Sequence, residues 1–153
     1  AGKEIAKRIA GRIPLIYVST RNRAIAYNWK IKFNETGKIP AFMNVFPEVN
    51  HNEMTGFDVM KSAEQLLTSF YCLILADNED DPRIRKRMET LASLYRAHNI
   101  PAEIIAVNGS GRFEKIFSSL YTADWAAYYT AQYYGADPSN VPMVEEFKKL
   151  ISK

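Results

Sequence analysis

A single cysteine among 153 residues excludes a framework of intramolecular disulfides. Cys72 stands inside the apolar run Phe70-Tyr71-Cys72-Leu73-Ile74-Leu75-Ala76, the setting of a buried strand residue rather than a nucleophile. No apolar stretch approaches the roughly 18 residues that crossing a bilayer needs. The amino end also lacks the charged-then-apolar order of a secretory signal, so a cytoplasmic protein with no membrane partner is expected. Excess charge is scarce as well: 20 Lys and Arg against 17 Asp and Glu leave +3, without the focused basic patch that nucleic acid requires. The one dense basic stretch, Arg83 to Arg87, runs into Met88, Leu91 and Leu94 and reads as the solvated face of a helix. Internal repeats and low-complexity tracts are absent. The chain opens on Ala1-Gly2 without Met, so it is expected to be a processed or excised piece of something longer.

What is present is the composition of a globular protein, 47% hydrophobic and 12% aromatic, at a length that matches one α/β domain able to bury about two thirds of its unfolded surface. Apolar spacing predicts a short helix over Ile5–Ala10, a buried strand over 14–19 and a second helix from Asn22 to Glu35 stopped by Gly37. A strand over 42–46 lies between Pro40 and Pro47, and the polar stretch from Asn50 to Asp58 reads as a loop. Strands over 69–76 and 102–107 follow, each leading into a helix, near Pro82 and over 113–134. A last helix covers 141–151. This alternation implies a three-layer α/β sandwich, flavodoxin-like, with a mainly parallel sheet covered by helices on both faces.

Several motifs have two readings. The acidic run Asp77 to Asp81 resembles a Mg²⁺ or phosphoacceptor site, as in receiver-like domains, yet Asp81 before Pro82 is also a helix N-cap with proline at the first helical position. Asn108-Gly109-Ser110-Gly111 is placed where backbone N–H groups hold a phosphate. Without a dinucleotide or P-loop pattern it reads better as the turn that starts the next helix. Glu35 sits in the last turn of its helix, where a negative charge faces the negative end of the macrodipole; a carboxylate so placed suits a general base, while by pattern alone an ordinary surface Glu at a helix end is the commoner case. His51 falls in the dense polar cluster Pro47-Glu48-Val49-Asn50-His51-Asn52-Glu53, and imidazole gives and takes protons near neutral pH. His98 reads as a capping cation at a helix end. No cofactor or metal motif is present.

Four stretches in order, Ala26-Tyr27-Asn28-Trp29-Lys30, Phe33-Asn34-Glu35, Pro47 to Glu53, and Asp137-Pro138 followed by Phe147-Lys148, resemble the C-terminal sugar-isomerase (SIS) domain of the bifunctional phosphoglucose/phosphomannose isomerases. The resemblance implies aldose–ketose isomerisation of sugar phosphates through a cis-enediol, in a homodimer. It matches Glu35 to the base that moves the proton between C1 and C2. His51 corresponds to a histidine contributed by the neighbouring subunit to ring opening, and Lys148 to a lysine at the ring or carbonyl oxygen, with Lys149 adjacent. Two features depart from the pattern: the Ser/Thr-rich phosphate grip of the family's N-terminal subdomain has no counterpart, and Ser19-Thr20-Arg21-Asn22-Arg23 stands where a glycine-containing turn is expected. The chain is thus expected to work with an N-terminal SIS subdomain, in the same or a separate chain. The reading of another class is a noncatalytic sugar-phosphate-binding or scaffold module.

Overall fold

The computed structural model describes residues 1–58 and 64–152. Four strands, β1 (Ile13–Ser19), β2 (Phe42–Phe46), β3 (Phe70–Asp77) and β4 (Ala102–Val107), form one sheet in the order β2-β1-β3-β4, with every pairing parallel. The expected sheet is therefore present. Among the described residues six helices accompany it: α1 (Gly2–Ile9), α2 (Arg23–Glu35), the single turn α3 (Glu64–Leu67), α4 (Pro82–Ala97), α5 (Arg112–Tyr133) and α6 (Pro142–Ile151).

Strand periodicity divides the core in two. Successive side chains of a strand point to opposite faces, so Ile16 and Val18 of β1 join Leu73 and Leu75 of β3 beneath α1, α2 and α5, against Ile5, Ile9, Trp29, Phe33 and Ala126. Leu15 and Tyr17 join Cys72 and Ile74 on the other face, against Met88, Leu91 and Tyr95 of α4. Because β1 and β3 are buried on both faces, their sequences read as continuous apolar runs. Each fully buried Leu or Ile contributes about 1.5–3 kcal/mol. One polar contact inside this packing holds α2 to α5: the Trp29 indole N–H donates to Ser119 Oγ at 2.9 Å.

The differences from expectation have identifiable physical causes. The stretch read as loop contains two 3-10 turns, Glu48–Asn50 and Glu53–Phe57, and Phe57 packs against Phe70 and Tyr95 at ring-centroid distances of 5.8 and 5.0 Å. Gly37 does not supply the left-handed stop after α2; Lys38 does, at φ 58°. Glycine is required at 37 for a different reason, since a Cβ there would lie 2.7 Å from the Phe33 carbonyl oxygen. His98 caps α4 through its backbone N–H, which donates to the Leu94 and Tyr95 carbonyls, while Asn99 takes the left-handed conformation at φ 61°. Asp81 is the N-cap of α4, its side chain accepting from the Arg83 N–H at 2.8 Å. No described helix is long and apolar enough to cross a membrane.

The helix α6 buries none of its residues, although Met143, Val144, Phe147, Leu150 and Ile151 are apolar. Stability should sort accordingly. Leu73→Ala, in the centre of the sheet, is expected to cost about 2–5 kcal/mol, and Phe147→Ala, 59% exposed, to stay within about 0.5 kcal/mol. Urea unfolding of the 153-residue chain reads both; a comparable loss from the two would place α6 in the core.

Candidate functional site

Glu35 is the last residue of α2, and the turn after it is tightly pinned. The N–H groups of Thr36 and Gly37 donate to the Lys32 carbonyl at 2.9 and 3.0 Å, and that of Ile39 to the Phe33 carbonyl at 3.2 Å. The Asn34 side-chain amide donates to the Ile39 carbonyl at 3.0 Å. This fixes Glu35 at the end of the sheet where β2 begins. There an open groove of about 610 Å³ runs between Asn34, Glu35, Lys38, Ile39 and Pro40 on one side and Asn140 to Val144, the start of α6, on the other. The Glu35 carboxylate is exposed and makes no ion pair or side-chain hydrogen bond with the described residues. Sequence reading missed Lys38, which carries no signal beyond being a cation near a helix end.

Lys148 does not line the groove. Its Nζ is held at 2.8 Å by Glu145 Oε1 on α6, with side chains 62% and 55% exposed. It stands one helical turn beyond the groove-lining Val144, about 6 Å along the axis and on the same helix face. Lys149 makes no ion pair with the described residues.

His51 lies at the opposite end of the sheet, just past the end of β2, in a turn closed by its own N–H donating to the Glu48 carbonyl at 2.9 Å and by Asn52 Nδ2 donating to Glu48 Oε1 at 2.6 Å. The five residues of β2 rise about 16 Å. Within one copy, therefore, Glu35 and His51 do not share a site.

The sequence announced only the acidic half of an extended polar network. At the carboxyl ends of β1 and β3, Lys115 of α5 is 2% exposed. Its Nζ donates to Asp77 Oδ1 and Asn78 Oδ1, both at 2.6 Å, and to Glu79 Oε1 at 2.8 Å. Asn22 Nδ2 bridges Asp77 and Asp80 at 3.2 Å each, and Ser19 Oγ donates to Asp80 at 2.5 Å. Arg112 donates to Asn22, and Arg21 to Glu79. Burial pushes the Asp77 carboxyl up, but the Lys115 ammonium, the Glu79 N–H and Asn22 together outweigh it and hold the group below the ordinary value. Asp77 and Glu79 in turn raise the Lys115 ammonium above its own. The acidic run is thus taken up by the protein's own cations and, at Asp80, by neutral donors, and no group of three or more metal-ligating side chains forms among the described residues. In the Asn108–Gly111 loop, Ser110 is likewise committed. The Ser110 N–H and hydroxyl both donate to Glu114, and Gly109 presses so close to α5 that a Cβ would lie 2.6 Å from the Lys115 backbone nitrogen.

Comparison with known proteins adds to this geometry. A family model described as the bacterial phospho-glucose isomerase C-terminal SIS domain matches residues 1–151. A bifunctional phosphoglucose/phosphomannose isomerase of Aquifex aeolicus is 31% identical over 152 residues, 99% of this chain and 46% of that protein. One of Thermoplasma acidophilum is 37% identical over 142 residues, 92% of this chain and 43% of that protein. The chain spans about half the length of the curated relatives it matches. Among solved structures, a glucose-6-phosphate isomerase like protein from Thermus thermophilus matches 92% of this chain and 45% of its own with a TM-score of 0.72 at 17% identity, a likeness of fold.

The buried network predicts an acid limb of stability. A carboxyl depressed in the fold contributes stability above its unfolded value of about 3.9 and loses it as pH falls through the folded value. The urea midpoint should therefore drop as pH is lowered below about 4. Asp77→Asn should start lower at neutral pH, with Lys115 deprived of a partner, and show a shallower acid slope; parallel curves for the two proteins would remove Asp77 as the cause.

Proposed function

The chain belongs to the bacterial phospho-glucose isomerase C-terminal SIS domain family, and we propose that it is the part of a bifunctional glucose 6-phosphate/mannose 6-phosphate isomerase that carries the proton-shuttling base. The observation that supports this most directly is the exposed Glu35 carboxylate, without a side-chain partner among the described residues, on an open groove at the pinned end of α2. In the proposed reaction, Glu35 takes the proton from C2 of the open-chain aldose. The C–H electrons form the C1–C2 double bond of a cis-enediol while O1 receives a proton. Return of the proton from Glu35 to C1, with loss of the O2 proton, leaves the carbonyl at C2 of fructose 6-phosphate. Lys148 is proposed to exchange its contact with Glu145 for the ring or carbonyl oxygen. Its stem projects toward the start of α6, where the groove lies.

His51, at the other end of the sheet, is proposed to open the sugar ring in the site of a second copy of the chain, which makes the working unit a homodimer. The phosphate is assigned to an N-terminal SIS subdomain in the same or a separate chain. The crevice after β1 and β3 is lined by carboxylates that repel a phosphate, the Ser110 donors are held by Glu114, and without a grip on the phosphate the remote binding energy that orients the substrate is missing. The proposed location is the cytoplasm, where sugar phosphates are processed.

Glu35→Gln keeps size and hydrogen bonding but removes the proton-accepting oxygen, so in the complete enzyme turnover should fall by about 10²–10⁴-fold with urea stability unchanged. Solvent deuterium should enter C2 of glucose 6-phosphate during reverse turnover of the unmutated enzyme and nearly stop in the variant. Undiminished exchange would mean that Glu35 is not the base and would move that role to another carboxylate.

A further inference from the structure

We infer that Glu53 is the positioning residue for His51: its carboxylate braces the imidazole-bearing turn to two neighbouring strands, so that the ring is presented in one orientation to the sugar of a second copy. This deepens, and rests on, the reading of His51 as the ring-opening group.

The brace is visible bond by bond. Tyr17 on β1 and Asn44 on β2 are direct cross-strand partners, so their side chains leave the sheet side by side on the face that α4 covers. Glu53, two residues after His51, accepts from both: Tyr17 Oη–H donates to Oε1 at 2.5 Å and Asn44 Nδ2–H to Oε2 at 2.5 Å. Both arms point the same way because a carboxylate only accepts. The Asn44 amide is oriented because its own Oδ1 accepts the Val45 N–H at 2.8 Å. Tyr17 is fully buried, and burial above all pushes its phenol far above the ordinary range, which keeps the proton on the oxygen. Beyond Glu53 the chain is anchored again where Phe57 packs on Phe70 and Tyr95, and before it Asn52 is tied to Glu48. His51 is the exposed residue between these fasteners. With both oxygens of Glu53 committed to donors, it is a support for catalysis and not a spare base.

The chemistry of the brace suggests its own rescue. In Glu53→Gln the side chain has one acceptor and one NH₂ group, so only one of the two donors keeps its acceptor and the proton of the other is left without one. If Asn44→Asp is added, the new amide at position 53 donates to the new carboxylate at position 44 while its oxygen accepts from Tyr17. Both arms return, with the same net charge. In the complete enzyme, at a temperature where circular dichroism shows every variant folded, Glu53→Gln should slow turnover of closed-ring glucose 6-phosphate by about 10- to 100-fold, the scale of a displacement near 1 Å. C2 exchange from open-chain sugar should be unchanged. The double variant N44D/E53Q should recover most of the rate, and Glu53→Gln should have no further effect in a His51→Asn background. In the isolated chain, exchange of the His51 amide hydrogen should quicken in Glu53→Gln and slow again in the double variant. Equal slowing of both steps, or additive loss with His51→Asn, would overturn the inference and leave Glu53 a folding residue. If His51→Asn alone leaves the closed-ring rate intact, the reading of His51 falls and the inference falls with it.

Discussion

Lys115 carries its ammonium into a place where 2% of its surface meets solvent, and oxygens from three successive residues answer it. A buried cation is tolerated only with close partners and satisfied hydrogen bonds. The segment after β3 is therefore obliged to fold over α5, and through Asn22 and Arg112 the loop after β1 is drawn into the same arrangement. This polar knot occupies the crevice between β1 and β3, where the chain order reverses and where open parallel sheets ordinarily take their ligands. With that crevice filled by the protein's own charges, the exposed chemistry of this chain stands elsewhere: a carboxylate at the end of a helix and an imidazole on a turn.

The fold was legible because its signals are periodic. Ile16, Val18, Leu73 and Leu75 on one face and Leu15, Tyr17, Cys72 and Ile74 on the other are adjacent in sequence, so β1 and β3 announced themselves as strands buried on both sides. The 3-10 turns after β2 were not legible, because what orders them is long-range: Phe57 meets Tyr95, which lies 38 positions further along the chain (95 − 57 = 38). Lys115 was invisible for the same reason. In sequence it is one more cation near a helix start, and only the parallel β3–β4 pairing brings Asp77 under it. Of the candidate site, the position of Glu35 at a helix end followed from local pattern. The separation of Glu35 from His51 is a property of topology and needed the structure.

Exposed apolar surface says something further about what this chain needs. The α5 residues Phe113, Phe117, Tyr121 and Trp125, all at least 40% exposed, recur every four positions and form one ridge. The amphipathic α6 is unpartnered along its apolar face. Scattered exposed apolar residues are ordinary, but a continuous ridge and a bare apolar helix in one molecule mark surfaces meant to be covered. A chain spanning about half the length of its relatives accords with that. In the proposal above, α6 forms one wall of the groove and is the part of the site whose packing an N-terminal half would settle.

The arrangement of the proposed catalytic groups also constrains how copies can meet. Glu35 ends α2, β2 follows, and His51 stands just beyond β2, so both belong to the β2 side of the sheet and mark its two ends. The five residues of β2 rise about 16 Å, and a sugar phosphate does not bridge that distance inside one copy. Two copies related by a two-fold axis can bring the His51 end of each to the Glu35 end of the other, and symmetry then gives two equivalent sites for one mode of contact. Only an antiparallel approach of the two β2 sides does this; a parallel one would pair base with base and imidazole with imidazole. The cost of such a division is that the imidazole must be aimed without help from the site it serves, since its own chain holds only the far side of it. A rigid support within its own copy is then a requirement, and the Glu53 carboxylate between Tyr17 and Asn44 meets it from the two strands nearest the turn.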